Sequence, residues 1–118
     1  MNLRKRVYIS HAITKPQPTR LWNWYIATEV YRRLILDGWA VFNPALSMCL
    51  FDNPLIDHAT WLQQDLPWVE ASDIVLRLPG ESTGANIETN FARGLGIPVV
   101  GPEYFPCLAD LYPVAVAA

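Results

Sequence analysis

Asp73-Ile-Val-Leu-Arg-Leu-Pro-Gly-Glu-Ser-Thr-Gly-Ala-Asn-Ile-Glu88 joins a near-continuous apolar run to a glycine-containing turn and the start of a helical pattern. The run Asp73–Leu78 predicts a strand buried on both faces, as in the middle of a parallel sheet. Pro79–Gly84 predicts a turn, and a helix follows over about Ala85–Leu95, stopped by Gly94 and Gly96. Ile97–Gly101 then reads as the next strand.

The same alternation extends upstream. Arg6–Ser10 is a strand on the β-formers Val7, Tyr8 and Ile9, and His11–Pro18 is a loop with two prolines. Thr19 is placed to cap a helix over Leu21–Leu36, with Leu21, Trp24, Tyr25, Thr28, Tyr31, Leu34 and Ile35 at helical spacing. Asp37-Gly38 ends it, and Trp39–Phe42 is a short strand ended by Asn43-Pro44. Ala45–Ile56 reads as irregular. Asp57 is placed to cap a helix through His58–Ala71, in which Pro67 is expected to start a new turn or a kink near Asp65. Beyond Pro102 the chain is apolar and broken by proline, with room for one short helix around Cys107–Leu111. The pattern β-α-β-α-β-α-β predicts an α/β fold. It is a flavodoxin-like three-layer sandwich with a parallel sheet of four to five strands, formed by one domain over residues 1–118.

Composition narrows the class. The 118 residues are 52% hydrophobic and 17% charged, which excludes a disordered chain, and no heptad runs suggest a coiled coil. No apolar run is long enough to span a bilayer, so no membrane partner is expected. Residues 1–33 hold seven Lys/Arg and one acid, whereas the rest of the chain sets Arg77 and Arg93 against ten acids. The basic end is either a solvated helix face or an attractor of phosphate. A pI near 5.5 argues against a polymeric nucleic-acid partner. Cys49 and Cys107 have no zinc-ligand spacing and read as reduced structural thiols, with no metal site. No secretory signal is legible at the N-terminus, so a cytoplasmic location is expected. Low charge and five Trp point to extra buried surface, hence a homodimer or higher homo-oligomer.

Ligands of open parallel sheets bind at the carboxyl ends of the strands. Three loops lie there: Ser10–Thr14, the stretch from Asn43, and Pro79–Gly84. In the last, Ser82 and Thr83 are donors at a helix N-terminus, which suits an anion, and Gly80 and Gly84 permit close backbone approach. An ordinary capped helix start explains the same residues. Neither a Walker A pattern nor GxGxxG is present. Glu88 lies one turn into that helix, and Asp65 lies beside Pro67 on the preceding one. Two carboxylates facing one pocket are what glycosidic cleavage requires: one at the oxocarbenium-like centre and one for the leaving group's proton. His11, at a strand's carboxyl end, reads either as a ligand contact or as a hydrogen-bonded structural residue, and His58 as an exposed or capping residue. Trp61, four residues before Asp65, is the Trp best placed to stack on a base, and Asn43 is a candidate hydrogen-bonding group.

Three ordered stretches resemble the nucleoside 2-deoxyribosyltransferase superfamily, which includes deoxynucleoside 5′-monophosphate N-glycosidases and small phage and bacterial proteins. They are Val7-Tyr-Ile-Ser-His-Ala-Ile13, Trp61-Leu-Gln-Gln-Asp-Leu-Pro-Trp-Val-Glu-Ala-Ser-Asp-Ile-Val75 and Ser82-Thr-Gly-Ala-Asn-Ile-Glu88. The last fits the family pattern S-x-G-x-x-x-E. The resemblance implies Glu88 as nucleophile at the anomeric carbon, Asp65 as acid/base group, Tyr8 as the hydroxyl orienting the nucleophile, and Ser82 as a ligand of a 5′-phosphate. It implies no cofactor. Where the family has small residues after the first strand and the monophosphate enzymes add an Arg, this chain has His11, Ala12 and Thr14. Lys15, Arg20 or Arg77 would then have to serve the phosphate. The expected function is cleavage or transfer at the N-glycosidic bond of a (deoxy)nucleotide, by an N-glycosidase or a deoxyribosyltransferase. The alternative is a non-catalytic nucleotide or nucleotide-signal binder.

Overall fold

The computed structural model describes residues 3–13, 15, 18–46 and 55–112. Its strands are β1 (Arg6–Ser10), β2 (Ala40–Phe42), β3 (Ile74–Arg77) and β4 (Val99–Val100). Its helices are α1 (Thr19–Leu36), α2 (His58–Glu70) and α3 (Thr83–Gly94), followed by 3₁₀ turns at Pro102–Tyr104 and Pro106–Leu108. The four strands form one sheet in the order β2-β1-β3-β4, and every pairing is parallel. This is the flavodoxin-like α/β arrangement. In register, Val7 stands between Val41 and Ile74, and Tyr8 between Phe42 and Val75.

Side chains alternate across a strand. Val7, Ile9, Ile74, Leu76 and Leu78 therefore share one face, where Ala27, Val30 and Leu34 of α1 close the main core with Phe105 and Leu108. Tyr8 and Val75 take the other face and meet Val69 of α2 and Ala92 of α3. Each fully buried aliphatic side chain contributes roughly 1.5–3 kcal/mol of transfer free energy.

Several boundaries differ from the sequence expectation. The face of α1 is rotated: Ala27, Val30 and Leu34 are buried, whereas Leu21 and Tyr25 are 64% and 62% exposed. The rotation brings Asn23 and Trp24 to the loop after β1, as described below. Pro18, not Thr19, is the N-cap, without a side-chain cap bond. Trp39 lies outside β2, because its N–H donates to Leu34 O (3.0 Å) at the end of α1, and its ring packs edge-on against Phe105. Asp57 does cap α2, its Oδ1 accepting from Thr60 N at 2.8 Å. The helix runs on through Pro67 to Glu70, so proline does not end it. β4 is shorter than expected, and the helix expected around Cys107–Leu111 is the 3₁₀ turn Pro106–Leu108 with turns after it. Cys49, Thr14 and most of the irregular stretch from Ala45 lie outside the described residues.

Candidate active site

The chain leaves β1 for β2 on one side and later crosses back to β3 on the other. The crevice between β1 and β3 is therefore the topological switch point of the sheet. Leu78 N donates to Ser10 O (2.9 Å) and closes that crevice at the strands' carboxyl ends. Above it lies a narrow inner pocket of about 40 Å³, whose walls include His11, His58, Trp61, Asp65, Ser82 and Glu88. A wider outer recess of about 370 Å³ shares Ile13, His58, Ser82 and Gly84 with it and adds Lys15 and Thr83.

Helical spacing explains the carboxylates. On α2, His58, Leu62, Asp65 and Val69 follow one another at three- and four-residue steps, and Val69 is fully buried in the core. Anchoring Val69 turns Asp65 inward. On α3 the buried stripe is Ala85, Glu88, Thr89 and Ala92, so Glu88 faces the sheet. Ser82 is the N-cap of α3, its Oγ accepting from Ala85 N at 3.1 Å. The ordinary cap is thus realised, and the same residue also lines both cavities. Gly84 has a separate role. A Cβ there would stand 3.1 Å from His58 Nε2, so glycine lets the His58 ring lie against the first turn of α3.

Glu88 is the centre of the site. Tyr8 Oη donates to its Oε2, and Ser10 Oγ donates to its Oε1 at 2.8 Å. Burial raises the Glu88 carboxyl above its ordinary value, and the hydrogen bonds from Tyr8 and Ser10 and the charge of Arg77 offset only part of that rise. Burial, then the charges of Glu88 and Asp65, push the Tyr8 phenol far up, so it stays a proton donor. Burial, then the Glu88 charge, push Asp65 up to about 7. Both carboxyls are thus raised, but the hydrogen bonds and the Arg77 charge favour the charged form of Glu88, whereas burial and the Glu88 charge both oppose ionisation of Asp65.

The loop after β1 is held by α1. Asn23 Nδ2 donates to Ala12 O (3.3 Å), Trp24 Nε1 to Ile13 O (3.1 Å) and Arg20 Nε to Lys15 O (3.0 Å). His11 is buried, and Nδ1–H donating to Ala12 O (3.1 Å) assigns Nε2 as an acceptor, which has no hydrogen-bond partner among the described residues. Burial lowers its pKa to about 4, so the ring is neutral near pH 7. Asn43 is buried too and does not line the inner pocket. Its Oδ1 accepts from Ala45 N (3.0 Å), and its Nδ2, a donor, has no hydrogen-bond partner among the described residues. Arg77 is engaged elsewhere, donating to Gly80 O (2.8 Å), Leu78 O (3.2 Å) and Asn86 Oδ1 (3.3 Å). Arg20 is likewise turned to a backbone carbonyl. Of the three cations considered for phosphate, Lys15 alone lines the outer recess.

Sequence reasoning missed Ser10 as a partner of Glu88, whereas His58 is exposed at the start of α2, as expected, and also borders both cavities. Ser10 was legible as the polar residue two places beyond Tyr8 on the same face of a strand. His58 was legible seven residues before Asp65, on the same helix face. Among the described residues, no group of three or more His, Cys, Asp or Glu is placed to hold a metal ion, and no helix is long and apolar enough to cross a membrane.

An open parallel sheet with two buried carboxyls at its switch point defines a flavodoxin-like α/β protein with a coupled carboxyl pair. No protein-family model matches the chain, and no curated protein matches it in sequence. Among solved structures, it is similar to a 2-deoxyribosyltransferase from the psychrotolerant bacterium Bacillus psychrosaccharolyticus, characterised as a biocatalyst for nucleoside synthesis. The two share 19% identity at a TM-score of 0.64, over 81% of this chain and 70% of that one. The likeness establishes the deoxyribosyltransferase-like fold.

Proposed function

We propose that the protein cleaves or transfers at the N-glycosidic bond of a (deoxy)nucleotide, as a member of the nucleoside 2-deoxyribosyltransferase superfamily. The observation that carries this reading is the pairing, around one pocket, of a doubly hydrogen-bonded Glu88 with an Asp65 raised to about 7. Glu88 attacks the anomeric carbon as the bond to the base nitrogen breaks. The electron pair leaves with the base, which takes the proton of Asp65. Tyr8 holds Glu88 in line. Water or a second base then displaces the sugar from Glu88, with Asp65 as base, so configuration is retained. Lys15, Ser82 and the amides at the start of α3 serve a 5′-phosphate in the outer recess. Trp61 stacks on the base, and His11 Nε2 accepts from it.

The test is base release from a panel of deoxynucleotides and ribonucleotides, followed by chromatography. Release that disappears in Glu88→Gln is the expected result. A folded protein that frees no base from any of them ends the catalytic reading. The narrow inner pocket, with His11 after β1 where the family has small residues, favours a second reading: a nucleotide binder without turnover. Calorimetry with recovery of intact ligand separates the two.

A further inference from the structure

Ser10 is fully buried at the end of β1, facing α3. Two acceptors are within its reach, Glu88 Oε1 at 2.8 Å and Ala85 O at 3.5 Å. Ala85 lies inside α3, where its carbonyl is available to the helical N–H of Thr89. Glu88 Oε1 has no other hydrogen-bond donor among the described residues. A hydroxyl has one proton to give, so it goes to the carboxylate. Tyr8 and Ser10 stand two residues apart on one strand face, and their hydroxyls take opposite oxygens of the same carboxylate.

We propose that Ser10 is a positioning residue for Glu88, holding Oε1 while Glu88 is an anion and turning its proton to Ala85 O once Glu88 is esterified. This rests on the assignment of Glu88 as nucleophile. Attack converts a charged acceptor into a neutral ester, a weaker hydrogen-bond partner. Ala85 O, one helical turn before Glu88, then gives the hydroxyl a second place to bond. No proton leaves Ser10 at any step. The hydroxyl fixes the carboxylate plane before attack and is not left unpaired after it. The other groups facing Glu88 are Tyr8 on β1, Asp65 on α2 and Arg77 on β3, with His58 on the same pocket wall. His11 is neutral at working pH. None of these donates to Oε1.

The experiment is a carboxyl ¹³C NMR titration of Glu88 in full-length protein labelled at glutamate Cδ, with Glu88→Gln to assign the resonance. Ser10→Ala and Ser10→Thr are compared with the wild type. In Ser10→Ala the Glu88 midpoint is expected to rise by about one unit, because a donor to the charged form is lost. The acid limb of the kcat/KM profile should rise by the same amount, and kcat should fall about tenfold with KM within about twofold. Ser10→Thr, which keeps the hydroxyl, should restore both. A folded Ser10→Ala protein with an unmoved Glu88 titration overturns the proposal, as does a Ser10→Thr protein that behaves like Ser10→Ala. The titration reads the hold on Glu88 without turnover. A wild type that releases no base therefore ends the catalytic assignment separately.

Discussion

The two faces of β1 bury their residues by opposite means. Val7 and Ile9 point toward α1 and meet only apolar neighbours, so burial there is favourable by itself. Tyr8 and Ser10 point toward α2 and α3 and meet carboxyls. Burial there opposes ionisation, and named hydrogen bonds offset it. The first face carries the larger apolar cluster, whereas the second combines a smaller one with ionisable groups held away from their ordinary pKa values. Perturbed titration inside a cleft is a mark of function, which is why the proposed chemistry is placed on the second face.

Substitutions on the two faces should therefore fail differently. Glu88→Gln should give the largest effect, a loss of at least about 10³-fold in base release with the fold kept. Steady-state kinetics beside a thermal melt checks both halves.

Asp65→Asn should cost about 10²- to 10⁴-fold in kcat. It should also remove the alkaline limb expected near pH 7, where Asp65 loses the proton it must donate. Its effect on stability has the opposite sign. The folded-state pKa of Asp65, about 7, lies above its ordinary value of 3.8, so the folded protein holds a proton the unfolded chain releases. That stabilisation is complete below about pH 4 and is lost as pH rises through 7. Asp65→Asn should therefore gain about 1–2 kcal/mol over the wild type at pH 8 relative to pH 4. Denaturant midpoints at the two pH values measure it, and an unchanged difference would break the contrast between the faces.

Leu76→Ala, on the apolar face, should cost about 2–5 kcal/mol of stability. Below the melting range it should leave the Glu88 titration unmoved. If Leu76→Ala shifts that titration, the two faces are not independent.

Tyr8→Phe should give the smallest of these effects, roughly 10- to 100-fold in kcat. It should raise the Glu88 midpoint, because a donor to the carboxylate is lost. A Glu88 midpoint that falls instead would show that the phenol does not support the anion.

Part of this contrast was legible in the chain. The apolar run at Ile74 announced a central strand, and Ser82 to Glu88 announced a capped helix carrying a carboxyl. The face of α1 was not legible. Leu21, Tyr25 and Thr28 fit helical spacing as well as Ala27, Val30 and Leu34 do, and periodicity alone does not say which stripe meets a sheet. Side-chain bonds from Asn23 and Trp24 to the loop after β1 accompany the observed rotation. The grip of Ser10 on Glu88 was hidden for another reason: the partners are 78 residues apart, and no local pattern pairs them.

By itself, the sequence determined the order of strands and helices, because hydrophobic period, caps and turn residues are local properties. It also determined that carboxyls would stand near the carboxyl ends of the strands. Only the tertiary structure decided which side chains share the pocket and how Asp65 and Glu88 are both pushed above their ordinary values. Desolvation and through-space hydrogen bonding depend on neighbours that the fold alone brings together.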